Sequence, residues 1–304
     1  MTVFLAWRAA TMGVIVRASL VYGSGWLPFV WIPTAESNQN NDLSEGRCPV
    51  KTKNRGVSHG LPAQALEQNA ILRGLDESVA SQILEKGRLA HLAVQERIYE
   101  PEKPIRQVFF PLDCVLSIVT VMKDGNQIEV GTIGREGMSA FPLLLGASST
   151  ANNCYCQVPG TAIKIEATLF RELSTTNTGF RQLLDRYLQA YVNMLGQLAA
   201  CNRLHTVYER CARWLLMTDD RVGLTDIPLT HQYLAMMLGT NRSGVTIAAA
   251  TLRNAGFIRY KNGKITILDR LGLEDASCEC YAVAREQFAG FLRPIKPGEL
   301  DSDF

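Results

Sequence analysis

No run of roughly 20 uninterrupted apolar residues occurs in this 304-residue chain, so no segment reads as a membrane-spanning helix. The first 33 residues are apolar, but Arg8 and Arg17 interrupt them. No n-region, h-region and cleavage site follow in order, so they do not read as a signal peptide. Net charge is nearly absent, +2 from 31 basic and 29 acidic side chains, so any basic surface must be local rather than global. There is no phosphate-binding glycine loop, no Gly-x-Ser-x-Gly elbow and no His-Glu-x-x-His; no catalytic site or cofactor is expected. The four histidines, His59, His91, His205 and His231, are scattered and none shows ligand spacing, so no metal is expected either. Eight cysteines make no dense, regular framework, which points to reduced thiols and a cytoplasmic location. Cys154 and Cys156 flank Tyr155 on a strand, a poor geometry for a disulfide. Cys278 and Cys280 supply only two ligands, too few for zinc, and both pairs read as packing or tail residues.

What is present suffices for two domains, with 47% apolar and 20% charged residues. Residues 34 to 66, from Thr34-Ala-Glu-Ser through Gln64-Ala-Leu66, lack periodicity, and residues 1–67 are taken together. They read as an N-terminal extension, disordered or ahead of the true translation start. Structure is expected to begin near Asn69, followed by a helix over Glu77 to Leu89 with Val79, Ile83 and Leu84 on one side. Short apolar runs then alternate with turn signals: Val108 to Pro111, Val115 to Met122, Gln127 to Ile133, Cys154 to Val158 and Ala162 to Ile165. Such spacing makes residues 68–172 a β-roll of jelly-roll type rather than a parallel sheet.

A single long helix is predicted from Thr176 through Arg203, within a segment 173–205. Phe180, Leu184, Tyr187, Tyr191, Met194, Leu198, Cys201 and His205 recur by fours and threes, the seam of a two-stranded coiled coil. Leu183, Leu188 and Leu195 lie off that seam and can meet the roll. The first six seam residues are therefore expected to form a homodimer interface.

Residues 206–275 read as a winged helix-turn-helix, with 276–304 as a C-terminal tail. Thr230 caps a first helix bearing Leu234, Met237 and Leu238, and Gly239 supplies the turn. On the second helix Val245, Ala248 and Leu252 share one side, while Arg242, Ser243, Thr246, Ala250 and Arg253 fall on the other. Guanidinium and hydroxyl groups near a helix start suit base edges and phosphates. Phe257 to Tyr260 and Lys264 to Leu268 flank Asn262-Gly263, a hairpin with a type I′ turn whose Arg259, Lys261 and Lys264 can lie on phosphates. Thr230, Thr240, Asn241, Arg242, Ser243, Thr246, Arg253, Lys261 and Lys264 are the expected contacts to double-stranded DNA. Val207, Cys211, Trp214 and Leu215 have helical spacing and anchor this domain to the hinge at His205 to Tyr208.

An α+β chain with a β-roll, a long helix and a winged helix-turn-helix in that order resembles the Crp/Fnr superfamily of bacterial transcription regulators. The resemblance covers residues 68 to 275 and is most specific over Leu229 to Asp269. Val108-Phe-Phe-Pro111 and Val130 to Met138 also look like sensor segments of this superfamily. It implies a dimer on a palindromic operator, a small-molecule effector of unknown identity, and RNA polymerase as a further partner. Arg242 matches the guanine-reading arginine, Ser243 replaces the usual glutamate, and Ile247 stands where the cyclic-AMP receptor has a second arginine. Cyclic-nucleotide binders carry a Gly-Glu pair and a phosphate-clamping Arg. Here Glu136-Gly137 stands in reversed order, and no lysine or arginine occurs from Glu136 through Ile163. A buried phosphate needs such a partner, so cyclic AMP is expected to bind weakly or not at all. Iron–sulfur members need a cysteine group ahead of the roll, where this chain has only Cys48. Two other readings stay open: an enzymatic or ligand-binding β-barrel with an appended DNA reader, and an interaction protein with a vestigial helix-turn-helix.

Overall fold

The computed structural model describes residues 61–223 and 226–292. Residues 1–60 of the expected extension, and the end of the tail from 293, lie outside the described residues. Regular structure starts earlier than Asn69. Ala63–Gln68 is a 3-10 helix with Ala65 and Leu66 buried, which corrects the boundary at 67. Periodicity is blind to so short an element.

Asn69 caps α1 (Ala70–Arg73) through its Oδ1 and donates from Nδ2 to the carbonyls of Pro111 and Gly137, at 2.9 and 2.8 Å. One buried amide thus ties the entry of the fold to two roll segments. α2 spans Glu77–Lys86 with Asp76 as its cap and Val79 and Ile83 buried. It ends before Leu89 because Gly87 leads the chain into a strand.

The roll consists of two antiparallel sheets. β1 (Arg88–Leu92), β7 (Gly160–Glu166) and β3 (Gln107–Pro111) form one. β2 (Arg97–Tyr99), β6 (Asn153–Val158), β4 (Val115–Val121) and β5 (Gln127–Ile133) form the other. The edge strands β1 and β2 went unforeseen: β1 is largely exposed, β2 is only three residues long, and neither carries a clear apolar alternation. β4 is buried at five successive positions, Val115 to Val119, because a helix from the C-terminal half covers its second face.

α3 (Ala167–Thr176) and α4 (Thr178–Leu204) follow, divided at Asn177, whose side chain accepts from the Phe180 amide at 2.7 Å. α3 is an additional helix where the roll was expected to run on to 172. The apolar row of α4 is real, but its partner is the same chain. Phe180, Leu184, Tyr187, Tyr191 and Met194 are buried within the monomer. Phe180 meets Phe170 edge-on, and Tyr191 packs on Phe141 with ring centroids 5.2 Å apart. Tyr187 donates weakly to the Met138 carbonyl and lies so close to Gly137 that any side chain there would collide with its ring. Leu198 is half-buried in the cleft beneath α5. The expected intermolecular seam is therefore corrected to the contact between α4 and the roll. A 3.5-residue period marks a buried stripe without saying which surface buries it.

α5 (Val207–Val222) starts with a complete capping box, Thr206 with Glu209, directly after the break at His205. α6 (His231–Met237) and α7 (Arg242–Asn254) follow. β8 (Ile227–Pro228), β10 (Lys264–Ile267) and β9 (Ile258–Lys261) form a third sheet in that order. α8 (Arg270–Asp275) and α9 (Cys280–Gly290) end the described chain. The segment read as a tail is thus partly folded. α9 lies along α4, with Arg186 donating to the Phe291 carbonyl at 2.9 Å and Asn193 to Gln287 at 3.0 Å. No described helix is long and apolar enough to cross a membrane.

Candidate nucleic-acid interface

The two helices of the motif are set by local chemistry at each end. Thr230 Oγ1 accepts from the Tyr233 amide at 3.2 Å, and Asn241 Oδ1 accepts from the Gly244 amide at 2.7 Å. Between them Gly239 adopts φ +57°, a left-handed turn that a side chain would resist and that also presses on Ile128 of β5. Val245, Ala248 and Leu252 of α7 are buried, together with Ala249, and pack against α5 and α6.

Arg242, Ser243, Thr246 and Ile247 are exposed, Ile247 at 68%. Thr240 and Asn241 lie in the turn just before them. These six line the first two turns of α7 and the approach to it, so the structure gathers them into one surface. Ala250 is only half-exposed. Arg253 is exposed as well, but it lies 11 residues beyond Arg242, roughly 16 Å along the helix axis. It belongs to a different reach of any bound duplex. Lys261 and Lys264 sit exposed on either side of Asn262-Gly263, whose φ values of +53° and +72° fit the expected I′ turn. Arg259 leans back toward Thr266 Oγ1 at 3.3 Å and is less free.

His231 was not foreseen as part of this surface. Its ring stacks on Tyr260 of β9 at 4.6 Å, and its Nδ1 meets Thr246 Oγ1 at 3.1 Å. Tyr260 in turn donates to the Leu229 carbonyl at 3.2 Å. One imidazole therefore locks the first helix, the second helix and the wing in a single orientation. Burial, and next the charge of Arg242, lower its pKa from the ordinary histidine value, which favours the neutral imidazole. An imidazole and a threonine hydroxyl on two different helices make no sequence pattern, so only coordinates could find this contact.

The motif does not stand apart from the roll. Arg210 of α5, buried, donates to the carbonyls of Leu238 and Asn202, linking the turn of the motif to the end of α4. Trp214 Nε1 donates to Glu129 Oε1 at 3.2 Å, and the other oxygen of Glu129 accepts from Ser117 at 2.7 Å and Gln157 at 3.0 Å. Desolvation pushes the Glu129 carboxyl up to about 7 against the pull of these donors and of Arg221 and Arg213. Arg221 of α5 meets Glu136 twice, at 2.7 and 3.2 Å, and also donates to Thr132. Arg135 donates from Nε to the Arg221 carbonyl at 2.7 Å. A cleft of about 870 Å³ opens between the tip of the β4–β5 hairpin, Met122 to Gln127, and Gln232, Asn241 and Arg242.

A two-helix motif, a left-handed glycine turn, an exposed polar helix face and a three-stranded wing now stand together. Residues 209–276 match the Crp-like helix-turn-helix domain. The chain carries a Crp-like helix-turn-helix domain. Solved structures similar to the whole described fold include a chain from Eubacterium rectale assigned to the Crp/Fnr transcriptional regulators. It is 16% identical over 69% of this chain and 98% of that one, with a TM-score of 0.54. FixK2 from Bradyrhizobium japonicum is 13% identical over 63% of this chain and 98% of its own, with a TM-score of 0.53. A CRP-family transcriptional regulator from Thermus thermophilus is 17% identical over 62% of this chain and 96% of its own, with a TM-score of 0.52. No curated protein matches the chain in sequence. Its fold, α+β with a roll, a long helix and a winged motif in that order, is similar to that of these Crp/Fnr regulators, and its helix-turn-helix domain is Crp-like.

Proposed function

We propose that this Crp-like domain reads duplex DNA through the first two turns of α7, as part of a transcription regulator that binds an approximately palindromic operator as a homodimer. The observation that carries the reading is the exposed row Arg242, Ser243, Thr246 and Ile247 on a helix whose opposite side is packed. Arg242 suits a guanine edge, and Ile247 offers an apolar contact to a thymine methyl. Thr230 keeps its hydroxyl proton free while its oxygen caps α6, so it can donate to a phosphate; Lys261 and Lys264 can add charge from the wing. Arg242→Ala is expected to lose about 1 to 3 kcal/mol of discrimination between the selected site and its mutants. Lys264→Ala should weaken all sequences alike and lower the salt slope. Titrations of selected and scrambled duplexes at several salt concentrations check both. An unchanged site preference in Arg242→Ala would remove the assignment of the reading face.

Dimerisation needs a face that the monomer leaves open. On α4 the exposed row is Asp185, Gln189, Val192, Gly196, Ala199 and Arg203, again spaced by fours and threes, with Val192 53% exposed. Its middle is small and apolar, which permits close approach of two helices. No neighbour lies near Gly196, where a glycine otherwise weakens a helix by about 1 kcal/mol. We assign the dimer contact to this row in place of the buried one. Val192→Glu should shift the sedimenting species from dimer to monomer, whereas a wild-type chain that is monomeric even with duplex present would remove the dimer.

For the roll we propose an effector other than cyclic AMP bound in the usual way. Support comes from Glu136, which is already paired to Arg221, and from the tyrosines of α4 packed onto the same loop. The ordinary phosphate clamp has no basic side chain between Glu136 and Ile163.

A further inference from the structure

Two pairs of side chains that the sequence keeps far apart meet where α4 ends. Cys201 and His205 are one helical turn apart, and Cys278 and Cys280 belong to the segment that leads into α9. Their ligand atoms, three Sγ and one histidine nitrogen, all lie within 4.8 Å of one another. Cys201 Sγ is 3.6 Å from Cys278 Sγ, and Cys280 Sγ is 3.5 Å from His205 Nδ1. A tetrahedral zinc with Zn–S near 2.3 Å and Zn–N near 2.0 Å sets its ligands roughly 3.8 and 3.5 Å apart. We propose that Cys201, His205, Cys278 and Cys280 form a structural zinc site that clips α9 to the end of α4.

The surroundings fit a closed site. All three cysteines are buried, and among the described residues no disulfide joins any of them. His205 Nε2 faces Glu279 Oε2 at 3.1 Å, which turns Nδ1 toward the thiols, as a carboxylate behind a metal-bound histidine does. Gln197 Nε2 donates to Cys280 Sγ at 3.0 Å, a hydrogen bond that suits a thiolate. Three thiolates, one neutral imidazole and Zn²⁺ leave one negative charge. Arg213, buried on α5 and with its Nε lacking a partner, lies near enough to Cys201 and Cys278 to offset it.

Position gives the site its consequence. His205 is the residue at which α4 breaks, and Thr206 opens α5. Cys278 follows the last element of the winged domain. A metal here closes the chain into a loop containing the whole DNA-reading unit and fixes it against α4. At its far end α9 is held by Phe291, packed on Tyr187, so ligation through Cys280 would fix its start, beside the break at His205.

The test uses the full chain, free of any histidine tag and purified from zinc-supplemented cells. Elemental analysis should find one zinc per chain, and replacement by cobalt should give the visible absorption of a tetrahedral thiolate complex. Cys278→Ser and Cys280→Ser should lose the metal, while His205→Cys, which preserves four ligands, should retain it. If the serine variants do not fold, chelation of the wild-type protein decides: Tm should fall and recover on adding zinc. The proposal is overturned by a chain that takes up neither zinc nor cobalt stoichiometrically and whose Tm ignores chelators. It is equally overturned by a Cys201–Cys278 disulfide in protein isolated from cells, or by iron with acid-labile sulfide in place of zinc.

Discussion

Arg221→Ala is expected to cost about 3 to 5 kcal/mol of stability, the loss typical when one partner of a buried ion pair is removed. Arg221 is only 5% exposed, and its fork spans both oxygens of Glu136 while a third donor reaches Thr132. Truncation leaves the Glu136 carboxylate with the Gly134 amide as its remaining close donor, at 3.0 Å. That loss falls on the contact between α5 and the loop after β5, so the roll and the reading domain should unfold less cooperatively. Urea denaturation followed by the fluorescence of Trp214, which lies at this contact, measures it. Arg221→Lys should recover only part, because an ammonium cannot span two carboxylate oxygens. A loss below about 1 kcal/mol would mean that the fork does not hold the two domains together.

Between pH 4.5 and about 7 the wild-type protein is expected to lose stability as pH rises, and Glu129→Gln is expected to abolish that loss. The Glu129 carboxyl is raised from 4.5 to about 7 in the folded chain, first by desolvation. Across that window the folded state keeps a proton that the unfolded chain has released. Stability is therefore full below pH 4.5, falls through the window and is level above about 7. The difference between the two pKa values corresponds to at most about 3 kcal/mol, reduced by whatever solvent reaches the half-buried side chain. Denaturation midpoints of wild type and variant at pH 5 and 7.5 check it. Comparison with the variant removes the part due to other carboxylates. Because Glu129 joins Ser117, Gln157 and Trp214, this slope reports how firmly α5 sits on β4 and β5. A slope identical in both proteins would show that Glu129 stays ionised throughout, held so by its three donors.

The reading domain was the most legible part of the chain because its signals are local. Thr230 as a cap, Gly239 as a left-handed turn and Asn262-Gly263 as a hairpin turn each act within a few residues, and each stands where the pattern put it; the cap at Asn241 emerges only from the structure. The five main strands of the roll were legible for the same reason. β1, β2 and β8 were not, since β1 is largely exposed, β2 and β8 are only three and two residues long, and all owe their place to neighbours. α9 and the 3-10 helix at Ala63–Gln68 read as tail in the sequence, because neither has an apolar period long enough to distinguish it from coil.

Residue order alone determined the main helices, the five main strands of the roll, and which side of α7 carries Arg242 and Thr246. Those are questions of backbone dihedrals and short-range periodicity, settled within a turn or a pleat. Tertiary structure decided what covers each apolar stripe. The row from Phe180 to Met194 could have met a second chain and instead meets the roll, and Glu136 could have faced a ligand and instead faces Arg221. It also decided that Cys201 and His205 meet Cys278 and Cys280. Burial and charge pairing depend on which surfaces come together in space, and separation along the chain carries almost no trace of that.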